Sequence, residues 1–197
     1  MLSRASTRAE SPSWDALFEV ASEQEGLFTT AQAAEAGYSP QLLQKHLHGG
    51  RIRHVRRGIY RLVHFPPGEY EDLVAVWLWS GSAGVFSHET ALALHGLSDA
   101  LPSRAHLTVP ADWNRRRLRV PRGVVLHHAD VPRSDRAWVG SLPVTAPLRT
   151  LADCAAGGVA PDLVQQAKDQ AVARGLVTPA EVAAIAKPGR PPGRRAT

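Results

Sequence analysis

Apolar residues recur at helical spacing in the first part of the chain and predict two short helices before residue 37. The first helix carries one apolar stripe with i, i+3, i+4, i+7 spacing, formed by Trp14, Leu17, Phe18 and Ala21. Gly26 ends this helix, and Leu27-Phe28 can form a short strand. Thr29 and Gln32 have the spacing of a capping box, so a second helix is expected from there through Ala36.

A third helix is predicted after a turn at Gly37. Ser39 and Pro40 supply an N-cap and a proline at the first helical position, and Gly49-Gly50 stops the helix after about His48. One face is suited to packing and holds Leu42, Leu43, His46 and Leu47. The opposite face is polar and holds Gln41, Gln44, Lys45 and His48. Glutamine can pair with adenine in the major groove, and lysine can reach guanine or phosphate.

An ordinary surface helix shows the same polar residues, so the interpretation depends on the segment that comes after this helix. Residues 51–62 read as a β-hairpin with its turn at Arg56-Arg57-Gly58. Ile52 and Val55 differ in parity, which predicts a bulge or a short pairing. Arginines on such a hairpin reach phosphate or the adjacent minor groove. The expected DNA contacts are Ser39, Gln41, Gln44, Lys45, His48, Arg51, Arg53, Arg56, Arg57 and Arg61.

The charge distribution supports an anion-facing surface more strongly than the formal net charge of +5 does. Residues 13–39 contain five acids and no lysine or arginine, whereas residues 40–62 contain six basic residues and no acid. This reversal predicts a basic side and an opposite acidic side, although a solvated face would show similar residues. Another basic stretch, Arg104 to Arg122, could contact either DNA or a protein partner.

Two domains are predicted, because His64-Phe65-Pro66-Pro67-Gly68 cannot form regular structure. We expect a disordered N-terminus at 1–12, a winged helix-turn-helix DNA-binding domain at 13–63, an α+β domain at 69–186 and a basic disordered tail at 187–197. The second domain should hold an apolar helix at 70–79, a helix after Ser87, strands near 106–109, 124–127, 138–139 and 143–144, and helices near 145–157, 161–174 and after Thr178. The fold class is therefore α+β.

Several ordered segments resemble the AbiEi family of antitoxins from abortive-infection type IV toxin–antitoxin systems. The first is GLFTTAQAAEAGYSPQLLQKHLHGGRIRHVRRGIYRL at 26–62, and two others are SHETALALHGL at 87–97 and LPVTAPLRTLADC at 142–154. The resemblance covers most of residues 14–186. It implies a transcriptional autorepressor that binds repeats in its own promoter. It also implies opposition to a nucleotidyltransferase-type toxin without a tight complex between the two proteins.

Known catalytic and metal-binding patterns do not occur in the sequence, so we expect no enzyme, no cofactor and no metal. There is no phosphate-binding loop, and the Gly81-Ser82 start of a nucleotidyltransferase motif lacks the paired carboxylates that should come after it. The histidines lack the short spacing of metal ligands; His88-Glu89 could be a proton-transfer pair or a capped, partly buried histidine. Cys154 is expected to be a buried thiol, and Arg149 with Asp153 a helix ion pair.

The expected function is a DNA-binding autorepressor of the antitoxin type, with double-stranded DNA as the partner. No apolar run reaches the length that spans a bilayer, and no secretory signal pattern occurs at the N-terminus, which favours a cytoplasmic protein without membrane contact. The alternative is an antitoxin whose second domain binds a toxin directly, with DNA binding secondary. Replacing arginines of Arg104–Arg122 by acidic residues distinguishes the two interpretations. Promoter binding should weaken if this segment contacts DNA, and only co-purification of the toxin should suffer if it contacts the toxin.

Overall fold

The computed structural model describes residues 11–99 and 102–185, so most of the expected terminal segments 1–12 and 187–197 lie outside the described residues. Those described residues form a mixed α+β structure with eight α-helices and two β-sheets. The chain divides into two compact units, Met1–Ser82 and Ala83–Thr197. Within the described ranges, no helix is both long and apolar enough to cross a membrane.

Unit 1 contains four helices: α1 Trp14–Ser22, α2 Thr30–Glu35, α3 Pro40–His48 and α4 Glu71–Trp79. The predicted capping box of α2 is confirmed, because Thr29 Oγ1 accepts from the Gln32 backbone at 3.2 Å and Gln32 Oε1 accepts from the Thr29 backbone at 2.8 Å. The predicted N-cap of α3 is confirmed as well. These local signals explain why helices as short as α2 begin where they do.

Three antiparallel strands complete unit 1: β1 Leu27–Thr29, β2 Ile52–Arg56 and β3 Ile59–Leu62, in the order β1-β3-β2. The register shifts between His54 and Arg56, which confirms the bulge expected from the imperfect alternation. The core beneath the sheet is apolar and contains Leu17, Ala21, Phe28, Ala33, Tyr38, Leu43, Ile52 and Leu62. Burying a large apolar side chain of this kind stabilises a fold by about 1.5–3 kcal/mol.

Helix α4 groups with unit 1, although the sequence indicated a boundary at residues 64–68. The physical reason is a set of polar ties that cross this proline-rich segment. Glu71 forms salt bridges to Arg53 and Arg61 of the hairpin. The Glu25 carboxylate accepts a hydrogen bond from the Tyr70 backbone N–H at 3.0 Å, and burial raises the pKa of Glu25.

Unit 2 has a five-stranded sheet in the order β6-β5-β4-β8-β7, with β5/β6 and β4/β8 parallel and the other pairs antiparallel. Its core includes Leu92, Leu97, Leu151, Cys154 and Ala167. Its elements in chain order are β4 Val85–Phe86, α5 His88–Leu94, β5 Ala105–Val109, β6 Val124–His128, β7 Arg136–Val139, β8 Leu142–Thr145, α6 Pro147–Ala156, α7 Pro161–Ala173 and α8 Pro179–Ala184.

Several expectations for unit 2 are confirmed. Arg149 Nε donates to Asp153 at 2.8 Å, and its Nη1 also reaches Asp135 at 3.1 Å. Cys154 is fully buried, which raises the pKa of its thiol to about 12. The helix expected after Ser87 is α5. Ser87 occupies its N-cap position without a capping hydrogen bond from the side chain, because Ser87 Oγ accepts from Thr108 Oγ1 at 2.7 Å.

Candidate nucleic-acid interface

Helix α3 is held in unit 1 by one apolar side and one capped end. Leu43 is buried in the core, and Leu42 and Leu47 pack partly against it. Ser39 Oγ accepts the backbone N–H of Leu42 at 3.2 Å, and Pro40 occupies the first helical position. Ser39, one of the expected DNA contacts, therefore fixes the start of the helix.

The side of α3 that points away from the core is polar, as expected from the sequence. Gln41, Gln44, Lys45 and His48 are all exposed. The Nδ1–H of His48 donates to the Gln44 carbonyl at 2.7 Å, which holds the ring against the helix. The four side chains therefore offer donors and acceptors along one exposed strip.

His46 lies on the packing side of the same helix. Its ring centroid is 5.7 Å from that of Trp14 and 5.6 Å from that of Tyr38. Burial lowers the pKa of His46, and the nearby charges of Arg51 and Lys45 lower it further. His46 is therefore neutral at pH 7, and Lys45 and Arg51 supply the positive charge near this end of α3.

The tip of the β2–β3 hairpin is tied to the start of α2. Gly58 adopts a φ of +74°, which the tight turn requires and which glycine accepts without strain. Its carbonyl accepts hydrogen bonds from the Thr30 backbone N–H at 2.9 Å and from Thr30 Oγ1 at 3.3 Å. Arg57, next to Gly58, is exposed, and Arg56 is half-exposed.

A shallow hollow of about 290 Å³ joins the start of α3 to the hairpin. Gln41 and Gln44 line it from α3, and Thr30 and Tyr60 line it from α2 and β3. Tyr60 is held by stacking on Phe28, with centroids 5.8 Å apart. Thr30 and Tyr60 were not among the residues expected from the sequence, because their proximity to Gln41 depends on strand register and helix packing.

Arg61 is not available for a DNA contact, which corrects the expectation from the sequence. Only 5% of the residue is exposed. Its Nε donates to Glu71 at 2.8 Å, and its terminal nitrogens donate to the carbonyls of Leu62, Phe65 and Pro66 at 2.9 to 3.1 Å. Arg53, opposite Arg61 in the register, is more exposed but also pairs with Glu71.

The remaining basic residues of α3 and the hairpin form no salt bridge with acids in the described part of unit 1. Among residues 11–99 and 102–185, no salt bridge involves Lys45, Arg51, Arg56 or Arg57. We define the α3–hairpin surface as the exposed polar strip of α3 together with the unpaired arginines of the hairpin: Gln41, Gln44, Lys45, His48, Arg51, Arg56 and Arg57. This surface carries no acidic side chain, so it is suited to a polyanion.

A family model matches the first part of the chain. Residues 15–63 match a family model described as "Transcriptional regulator, AbiEi antitoxin". This range runs from α1 through β3, so the resemblance inferred from the sequence is confirmed there, and the matched family is one of regulators rather than enzymes. The resemblance of residues 87–97 and 142–154 stays a prediction.

The comparisons with solved structures and with curated proteins show a similar structure of low sequence identity and no curated relative. The crystal structure of the RV2827C protein from Mycobacterium tuberculosis is similar over 84% of this chain and 68% of that chain, with 20% identity and a TM-score of 0.48. No curated protein matches the sequence significantly.

Proposed function

We propose that this chain is a sequence-specific DNA-binding transcriptional repressor whose residues 13–63 form a winged helix-turn-helix. In this proposal α3 is the recognition helix that enters the major groove, and the β2–β3 hairpin is the wing. The α3–hairpin surface carries the proposal, because it joins exposed polar side chains suited to base reading to arginines that form no salt bridge with the acids of residues 11–99 and 102–185. The match of residues 15–63 to a family of transcriptional regulators supports it.

The dimensions of α3 suit the major groove. An α-helix with its side chains is about 10–12 Å across, which matches the width of about 12 Å of the major groove of B-DNA, and the nine residues of α3 extend for about 13 Å at 1.5 Å per residue. Gln41 and Gln44 would read base edges, each through a carbonyl acceptor and an amide donor. Lys45 and His48 would reach guanine or a phosphate from the same face.

The hairpin would contact the DNA backbone. Arg57 at its tip and Arg56 beside it would reach phosphates or the adjacent minor groove, and Arg51 would reach the backbone near the end of α3. Arg53 and Arg61 serve a different purpose, because both bind Glu71 and hold the hairpin to α4. Each phosphate contact of this kind adds to the salt dependence of binding.

The biological role that we propose is autorepression in the cytoplasm by the antitoxin of a type IV toxin–antitoxin system. The DNA partner would be the protein's own promoter, with inverted repeats as half-sites. A nucleotidyltransferase-type toxin would be its functional counterpart without a tight complex. The family match supports transcription regulation and the antitoxin class, and the finer role rests on the resemblance alone.

The test is binding to the upstream DNA of the protein's own gene and to a shuffled duplex of equal length, across a salt series. We expect the cognate duplex to bind at least ~10³-fold more tightly, and both affinities to fall with salt. Equal affinity for the two duplexes would overturn the proposal, because an electrostatic footprint alone does not distinguish sequences.

Variants separate base reading from phosphate contact. Gln41→Ala with Gln44→Ala should reduce the preference for the cognate duplex while keeping the salt slope. Arg57→Ala should lower the salt slope by about one unit on both duplexes. Arg133→Ala is the matched control, because Arg133 is an exposed arginine of unit 2. It should leave both quantities unchanged.

A second candidate is an antitoxin that binds its toxin directly through unit 2. Arg115, Arg116, Arg117, Arg119 and Arg122 are exposed, and the Arg116 guanidinium lies 4.5 Å from the ring of the half-exposed Trp113. A mixed basic and apolar surface of this kind suits an acidic protein partner. Arg117→Glu with Arg119→Glu should abolish co-purification of the toxin if this candidate is correct, and should weaken promoter binding if the segment contacts DNA.

A further inference from the structure

Three histidine side chains meet on one face of the sheet in unit 2. His88 begins α5, His106 lies in β5 and His127 lies in β6. One nitrogen from each ring lies within 4.8 Å of the other two. The rings of His88 and His127 stack with centroids 3.6 Å apart, and all three residues are half-buried.

The sheet topology brings these residues together from distant parts of the chain. The parallel pairing of β5 with β6 sets Thr108 opposite His127 and His106 opposite Val125, so His106 and His127 are diagonal neighbours on one face. The Ser87 backbone N–H donates to the His106 carbonyl at 3.1 Å, which places the start of α5 beside β5. His88 then adopts a φ of +52°, a conformation rare for a residue with a side chain.

The hydrogen bonds of two rings leave suitable nitrogens free to bind a cation. His106 Nε2 lies 3.3 Å from the Glu89 carboxylate, and its Nδ1 lies 3.2 Å from His127 Nε2. His88 Nδ1 lies 2.9 Å from Ser87 Oγ. When His106 Nε2–H donates to Glu89 and His88 Nδ1–H donates to Ser87, His106 Nδ1 and His88 Nε2 carry lone pairs. His127 offers the third lone pair at Nε2 in the tautomer that carries its proton on Nδ1. A carboxylate behind a histidine in this way is typical of zinc-binding imidazoles.

We propose that unit 2 binds one divalent transition-metal cation of the Zn²⁺ type through His88, His106 and His127. A Zn–N distance of about 2.0–2.1 Å and tetrahedral angles require ligand nitrogens about 3.3 Å apart, and the His106–His127 separation of 3.2 Å already meets this. Glu89 orients His106 from behind. Three imidazoles leave a fourth position for water or another ligand, as in zinc sites that are not purely structural.

This proposal departs from the expectation of no metal site. The three histidines lie 18 and 21 positions apart, so no short spacing in the sequence indicates them. Sequence spacing pairs His88 with Glu89 or His95 and pairs His127 with His128. It gives no reason to include His106, although one nitrogen of this ring lies 3.2 Å from His127 Nε2 and the other lies 3.3 Å from the Glu89 carboxylate.

The test is a metal titration of the untagged, full 197-residue chain after treatment with a chelator and dialysis. Co²⁺ should bind at one equivalent and give the intense visible absorption of a four-coordinate site, and Zn²⁺ should displace it. His127→Ala should weaken Zn²⁺ binding by at least ~100-fold. His128→Ala is the matched control, because His128 is the exposed next residue of β6, on the other face of the strand.

A second variant keeps the proposal testable if His127→Ala fails to fold. Glu89→Gln retains the three proposed ligands and removes the carboxylate charge behind His106, so it should weaken Zn²⁺ binding by about 10–100-fold. Zn²⁺ should also raise the melting temperature of the wild type and of His128→Ala by several degrees, and should not raise that of His127→Ala.

Three outcomes would overturn the proposal: no stoichiometric binding to the wild type, equal affinity in His127→Ala and His128→Ala, or equal affinity in Glu89→Gln and the wild type. The first outcome would leave the cluster as a stack of hydrogen-bonded neutral imidazoles. The proposed DNA contacts all lie in unit 1, so promoter binding and metal binding can fail independently.

Discussion

Replacing Arg61 by alanine should destabilise unit 1. It should not change the salt dependence of the proposed DNA binding. The Arg61 guanidinium makes four hydrogen bonds, to Glu71 and to the carbonyls of Leu62, Phe65 and Pro66. Breaking a buried ion pair by removing one partner costs about 3–5 kcal/mol. Because Glu71 is 21% exposed and keeps Arg53, the lower end applies, about 3 kcal/mol.

Hydrogen exchange of the β3 amides measures this loss in unit 1 directly. A loss of about 3 kcal/mol corresponds to a fall in protection of about 10²-fold. Arg57→Ala is the control on the same hairpin: Arg57 is exposed, so its stability change should stay within about 0.5 kcal/mol while the salt slope falls by about one unit. The reasoning is refuted if Arg61→Ala keeps full protection and lowers the salt slope instead.

Three further predictions concern conformation, protonation and reactivity. In urea unfolding, Gly50→Ala should lower the free energy of unfolding by about 1 kcal/mol, because the strain comes only from a φ of +66°. Gly26→Ala should lower it by about 3 kcal/mol, because the added Cβ would also lie 2.7 Å from the Phe65 ring. Because folding lowers the pKa of His46, neutral His46 contributes to the free energy of unfolding fully above about pH 6.5, and this contribution is lost as the pH falls through the lowered pKa. The difference between unfolding free energies at pH 7 and pH 5 should therefore be smaller for His46→Asn than for the wild type. Cys154 should resist iodoacetamide until unit 2 unfolds, so rapid labelling of the native protein would contradict its burial.

Local signals explain why the first unit could be predicted closely from the sequence. The capping box at Thr29, the N-cap at Ser39 and the glycine turn at Gly58 each act within a few residues, and all three occur in the structure. The same periodicity predicted the exposed strip of α3. Arg61 could not be assigned in this way, because its burial depends on Glu71 of α4, beyond the proline-rich segment taken as a boundary.

Non-local pairing explains what the sequence did not predict in unit 2. Strand β4 has only Val85 and Phe86, too few residues to show alternation, yet it pairs with β5 on one side and β8 on the other. The cluster of His88, His106 and His127 depends on that arrangement and on the parallel register of β5 and β6. Short-range patterns carry no information about either feature.

The two hydrogen bonds from Thr30 to Gly58 have a consequence for how DNA would be bound. They fix the hairpin tip to the helix that precedes α3, so the distance between the proposed base-reading groups of α3 and the proposed backbone contacts of the hairpin would be set before any DNA binds. A surface built in this way loses little conformational entropy on binding. The α3–hairpin surface also cannot change its own spacing to match a DNA site whose grooves have a different width. Operators with an unsuitable groove width would then have to bend or be rejected, so the stiffness of the DNA itself would contribute to the choice of sequence.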